Sequence, residues 1–141
     1  MTNHTELKLT ISSEIQLLDV ARTAFETFMQ AIGIGNMDYV YWSWVGIQEA
    51  LVNAIRHGNK EKEELPVVFH IKRLDNRMQF SITDRGPGVS LENIPDPTAP
   101  ENLMRSNGRG FLFINNTMDR VLTRKGPDSF TLIMEKDFEG A

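Results

Sequence analysis

Three polar residues, Glu49, Asn53 and His57, recur at intervals of four in a stretch that is otherwise largely apolar, Glu49-Ala-Leu-Val-Asn53-Ala-Ile-Arg-His57. That spacing puts them on one face of an α-helix along about 12 Å of axis, at ~1.5 Å rise per residue. A solvated helix face is one reading of such a row. The apolar surroundings favour another, in which the row looks onto something polar, because a carboxylate buried without a partner is costly or changes its protonation state. Asn offers a neutral oxygen ligand, and with phosphate oxygens and waters it can complete an octahedral Mg2+ shell. Glu49, one turn away, is then free to act as a general base. His57 equally suits a helix C-terminus, where it interacts with the dipole and the last carbonyls.

Two glycine-bearing segments lie further along. Asp84-Arg-Gly86-Pro-Gly88 reads either as a plain turn, since Asp, Gly and Pro form turns readily, or as a base-binding turn. In the second reading an Asp at a strand end accepts a hydrogen bond from an exocyclic amine, and Gly86 and Gly88 let the backbone pass close to a flat ring such as adenine. Gly108-Arg109-Gly110 is either a loop exit or the start of a short helix whose exposed N–H groups favour phosphates, with Arg105 and Arg109 adding charge. The sequence has no Gly-x4-Gly-Lys-[Ser/Thr] phosphate loop, no Gly-x-Gly-x-x-Gly and no His-Arg-Asp catalytic loop, which disfavours the common P-loop, dinucleotide-fold and eukaryotic-type kinase readings.

The elements that must position these residues follow from periodicity. Leu7 to Ile11 alternates as a strand, and Ser13 with Gln16 has capping-box spacing ahead of an amphipathic helix carrying Leu18, Ala21, Phe25, Phe28 and Ile32. Gly33 and Gly35 end that helix. A second helix is expected from Met37 to His57, apolar on most of its circumference, with Trp44 on its apolar stripe and Trp42 open between packing and a partner surface. Gly58-Asn59 and the charged run to Glu64 read as a solvated loop. Residues 67–74 and 78–83 form a hairpin, 90–107 a long proline-bearing lid, 108–118 a short helix, and 121–124 and 130–135 a last pair of strands. The fold class is therefore α+β: a two-layer sandwich with a mixed, mainly antiparallel sheet and helices on one face.

Composition bounds what such a sandwich can do. The 141 residues suffice for one domain, 1–141, with 40% hydrophobic and 24% charged residues, an ordinary globular mixture. Zero cysteines exclude disulfides, thiol catalysis and Cys-ligated metals. The net charge of −4 argues against holding nucleic acid by overall charge. No stretch approaches ~18 consecutive apolar residues, so a cytoplasmic protein without a membrane partner is expected.

In this order the three motifs resemble those of the GHKL (Bergerat-fold) ATPase superfamily: its N box at Glu49 to His57, its first glycine box at Asp84 to Gly88, its second at Gly108 to Gly110. Within it, the small size and Gly-Arg-Gly-Phe-Leu-Phe-Ile-Asn-Asn-Thr-Met-Asp119 resemble the stand-alone anti-sigma factor serine/threonine kinases of bacterial partner-switching systems. The resemblance implies that Glu49 is the catalytic base, Asn53 the Mg2+ ligand, and Asp84 the adenine-binding carboxylate, with Gly86 and Gly88 shaping its pocket and His57 belonging to the N box that binds nucleotide. Gly108 and Gly110 would face the phosphates of ATP. Arg105 or Arg109 would reach the terminal one; Arg105 stands one residue further from the glycine than in the expected pattern. Arg22 resembles an arginine that some members use against a sigma factor, or is a solvated surface residue. The resemblance also implies a small anti-sigma antagonist as Ser/Thr phosphoacceptor, a sigma factor as binding partner, and a homodimer. The alternative is an ATP-gated partner-binding module without kinase turnover.

Overall fold

The computed structural model describes residues 5–87 and 113–138. Five strands, β1 (Thr5–Ser12), β2 (Pro66–Arg73), β3 (Arg77–Asp84), β4 (Arg120–Lys125) and β5 (Phe130–Asp137), form one sheet in the order β1-β2-β3-β5-β4, and all four pairings are antiparallel. Two helices, α1 (Leu18–Ala31) and α2 (Met37–Asn53), cover one face. The two-layer α+β sandwich expected from the pattern is the observed architecture.

Alternation sends one set of strand residues into the core: Val67, Phe69 and Ile71 from β2, Met78, Phe80 and Ile82 from β3, and Phe130, Leu132 and Met134 from β5. From α1, Ala21, Phe25 and Met29 meet them. Phe25 stacks on Trp44 of α2 and sets its edge on Phe80, both at 5.8 Å between centroids, so one ring ties both helices to the sheet. Trp44 thus packs, as its stripe predicted, whereas Trp42 is about half exposed, beside Tyr41. Gly33, at φ +82°, ends α1: its N–H donates to the Gln30 carbonyl (3.1 Å) and that of Ile34 to Met29 (2.9 Å), a Schellman closure.

Two local expectations give way to tertiary demands. Ser13 caps no helix; it is buried and its hydroxyl donates to the Leu65 carbonyl at 2.7 Å, joining the exit of β1 to the entry of β2. A single 3-10 turn, Ile15–Leu17, then leads into α1 without a side-chain cap. The second helix keeps α geometry only to Asn53 and widens into a π turn over Ala54–Gly58. Its wide ring closes where Asn59 N–H donates to the Ala54 carbonyl at 2.8 Å, an i to i+5 bond. Lys60 and Glu61 follow with φ of 54° and 57° and reverse the chain.

Candidate functional site

The site begins where α2 widens. Glu49 and Asn53 lie one turn apart near the C-terminal end of α2, both half-buried. Glu49 has no hydrogen-bond partner among the described residues. Asn53 Nδ2 is fully shielded from solvent and also has none. Ser43 Oγ and Trp44 Nε1 on the same helix are shielded and unpartnered too, and of the three Asn53 stands one turn from Glu49 at the helix end. His57 is exposed within the π turn, and Arg56 beside it is exposed as well.

The π turn delivers Gly58 onto Asp84. A Cβ on Gly58 would stand 2.4 Å from the carboxyl carbon and Oδ2 of Asp84 and 2.7 Å from Oδ1. A Cβ on Gly86 would stand 2.4 Å from the Gly58 carbonyl oxygen. Only bare backbone at both positions lets the end of the helix, the carboxyl and the turn after β3 stack at this spacing. Asp84 ends β3 on the helix-facing side and is 5% exposed. Gly86 N–H donates to its Oδ1 at 2.7 Å. Burial pushes the carboxyl above the usual aspartate range, and the Gly86 N–H opposes this. A donor arriving at that carboxylate would relieve part of its desolvation, a fit for an exocyclic amine.

Asn59 is the residue that sequence reasoning assigned to a solvated loop and the fold buries, at 1% exposure. Its Nδ2 donates to Ser13 Oγ (2.9 Å) and the Pro66 carbonyl (3.0 Å), and its Oδ1 accepts from Arg85 N–H (2.7 Å). The charged run after it masked the signal, because Lys60 to Glu64 are solvated or nearly so while Asn59 turns inward.

A second close approach sits behind Glu49 and Asn53. Gly46 of α2 faces the short helix at 113–117, and a Cβ there would stand 2.4 Å from Thr117 Oγ1 and 2.9 Å from Met118 Cε. The far end of that helix is tied by Lys136, whose Nζ donates to the Thr117 carbonyl at 2.7 Å. Lys136 in turn lies 5.5 Å over the ring of Tyr39, whose buried hydroxyl donates to the Lys136 carbonyl at 2.6 Å. The helix carrying Glu49 and Asn53 is thus anchored at its start as well as its end.

Of the remaining sequence-predicted residues, Arg22 is exposed on α1, donates to Glu26 at 2.9 Å and lies 5.9 Å from the Trp44 ring centre. Gly88, Arg105, Gly108, Arg109, Gly110 and the proposed lid at 90–107 lie outside the described residues. The structure brings Gly58, Asp84 and Gly86 together, with Asn53 immediately before the π turn that ends at Gly58 and Glu49 one helical turn before Asn53.

Residues 11–136 match the histidine kinase-like ATPase domain. The chain belongs to that family. Among curated relatives, the anti-sigma F factor of Clostridium botulinum is 28% identical over 137 residues, covering 94% of each chain. The anti-sigma F factor of Bacillus subtilis is 30% identical over 132 residues, covering 91% of this chain and 88% of its own. The serine-protein kinase RsbW of Staphylococcus aureus is 27% identical over 88 residues, 57% of this chain and 55% of that one. Among solved structures, the RsbU and RsbW domains of a Mycobacterium tuberculosis protein superpose with a TM-score of 0.64 at 16% identity, a likeness of fold that covers 94% of this chain and 32% of the other. As a GHKL-type ATPase domain, the chain resembles anti-sigma factor kinases in sequence and in fold. Among the described residues no helix is long and apolar enough to cross a membrane.

Proposed function

We propose that this histidine kinase-like ATPase domain is an anti-sigma factor that transfers phosphate from ATP to a Ser or Thr of a small antagonist protein, and that it holds a sigma factor when the antagonist is not engaged. The observation that carries the reading is the pairing of two cradles at the end of one helix. An unpartnered, shielded Nδ2 at Asn53 and, at Asp84, a carboxyl packed on bare Gly58 and accepting from the Gly86 N–H are joined by a single π turn. The likeness to anti-sigma F factors over 94% and 91% of the chain points to the partner class.

In this reading Asp84 accepts from the adenine amino group while Gly86 and Gly88 leave room for the ring. Asn53 would hold Mg2+ through its side-chain oxygen, which would leave its shielded, unpartnered Nδ2 to donate to an acceptor such as a phosphate oxygen. When bound, Mg2+ supplies charge neutralisation for the phosphates. Glu49 takes the proton of the acceptor hydroxyl as its oxygen bonds to the γ-phosphorus, and the bond from that phosphorus to the bridging oxygen breaks with ADP leaving. General-base assistance of this kind is worth roughly 10²–10⁴-fold. His57 would sit at the nucleotide's edge, Gly108 and Gly110 along the phosphates, and Arg105 or Arg109 at the terminal phosphate. Arg22, exposed on α1, is the proposed contact to the sigma factor, and the assembly is proposed to be a homodimer.

The test is to incubate the purified chain with Mg-ATP and a candidate antagonist and to look for a phosphorylated Ser or Thr by mass spectrometry. Phosphorylation that Glu49→Gln abolishes supports the kinase. Nucleotide-dependent partner exchange with no phosphorylated residue would replace it with a binding module.

A further inference from the structure

Asn59 is a buried polar side chain with a full set of partners, and those partners are spread across the chain. Its main-chain N–H closes the π turn on Ala54 (2.8 Å), so its position is set by the helix that carries Asn53. Its Nδ2 reaches Ser13 after β1 and the Leu65 and Pro66 carbonyls at the entry of β2, at 2.9, 3.4 and 3.0 Å. Its Oδ1 accepts from the N–H of Arg85, the residue that follows Asp84, at 2.7 Å. The neighbouring contact is steric: Gly58 lies against the Asp84 carboxyl and Gly86 against Gly58. Gly58 can only limit how close the carboxyl comes. The Arg85 to Asn59 bond ties the main chain just beyond Asp84 to the end of the π turn, in addition to the sheet pairing of Asp84 with Phe130 and the Gly86 N–H that its carboxyl accepts.

We infer that Asn59 is a positioning residue: through the backbone of Arg85 it fixes the direction of the Asp84 carboxyl relative to the Asn53 end of α2. This rests on the reading of Asp84 as the acceptor for the adenine amino group. The consequence is specific to that amine. A side chain that merely fills space would affect every nucleotide alike when removed, whereas one that aims Asp84 affects only ligands that use Asp84.

Dissociation constants for ATP and for purine riboside triphosphate, which lacks the 6-amino group, distinguish the two by calorimetry on the full chain. Wild type should prefer ATP, and Asp84→Ala should bring that preference close to one. Asn59→Ala should lower the preference about tenfold or more, the scale of a hydrogen bond to a charged group, while leaving the affinity for purine riboside triphosphate nearly unchanged. If Asp84→Ala leaves the preference intact, the adenine reading of Asp84 fails and takes this inference with it. If Asp84→Ala removes the preference and Asn59→Ala weakens both nucleotides equally, the adenine reading stands and the positioning role of Asn59 falls. Should Asn59→Ala not fold, amide exchange in the nucleotide-free wild type decides. The Arg85 N–H, bonded to Asn59, should be protected before any nucleotide binds, and free exchange there overturns the inference.

Discussion

Gly58→Ala is the substitution that most directly probes the join between helix and carboxyl. Gly58 has no unusual φ, so alanine is allowed by the backbone and the effect comes from space alone. The new methyl would meet the Asp84 carboxyl at 2.4 Å, and the carboxyl must retreat by about 1 Å to reach the 3.4 Å of ordinary contact. It cannot do so freely, being 5% exposed and tied to Gly86 N–H at 2.7 Å. Overpacking of this kind costs about 1–3 kcal/mol, offset by up to ~1 kcal/mol from replacing glycine in a helical turn. A net loss of about 1–2 kcal/mol corresponds to roughly 4–8 °C in melting temperature for a chain of this size. The larger effect is on binding: a carboxylate displaced by ~1 Å forfeits a charged hydrogen bond worth about 1.5–3 kcal/mol, or roughly 10–100-fold in ATP affinity. Thermal unfolding by circular dichroism and ATP titration by calorimetry measure the two. Gly35→Ala is the control, since its Cβ would meet nothing within 4 Å. A Gly58→Ala protein that melts and binds ATP like wild type would refute the close packing of Gly58 on Asp84 and its link to the nucleotide.

Glu49→Gln should bind Mg-ATP as wild type does while phosphoryl transfer falls by about 10²–10⁴-fold, and Asn53→Ala should weaken Mg-ATP binding itself; calorimetry beside a transfer assay separates the two roles. Gly46→Ala should destabilise by about 1–3 kcal/mol through its clash with Thr117 Oγ1, and adding Thr117→Ala should recover part of that loss, a coupling that a double-mutant cycle in urea reads directly. Glu135 makes a prediction about acid. Burial raises its carboxyl, but hydrogen bonds from Arg120 (2.8 Å) and Gln79 (3.0 Å) and the nearby Arg77 outweigh this and hold it below the usual glutamate range. A carboxyl lowered in the folded state adds stability that is present above its unfolded pKa of ~4.3 and is lost as pH falls through the folded value. Unfolding free energies measured between about pH 5 and 2.5 should therefore drop less steeply for Glu135→Gln than for wild type. Equal slopes would remove Glu135 from the acid response.

The residues at the candidate site divide by how far their partners lie along the chain. Glu49 and Asn53 were legible because their meaning is local: four-residue spacing on an apolar helix speaks for itself, and the structure places both on α2. The alternation of residues 67–74, 78–83 and 130–135 announced strands for the same reason, and β2, β3 and β5 agree with it within two residues at each end. Asp84 was legible as a turn residue at a strand end. Its burial, and the upward push this gives its carboxyl, come from a helix end that packs on it from 26 residues earlier in the chain.

The order of elements and the one-sided layering could be read from the residues alone. These depend on periodicity and turn chemistry, whose range is a few residues. Long-range packing, by contrast, set three outcomes: α2 widens into a π turn, Ser13 gives up a helix cap for the Leu65 carbonyl, and Asn59 leaves its charged neighbours for the interior. The last two satisfy polar groups with partners 46 to 52 residues away, or 26 in the case of Arg85, and the π turn, closed locally on Ala54, sets Asn59 where it can reach them. A buried donor or acceptor must find a partner wherever the fold supplies one, and hydrophobic pattern carries no information about where that will be.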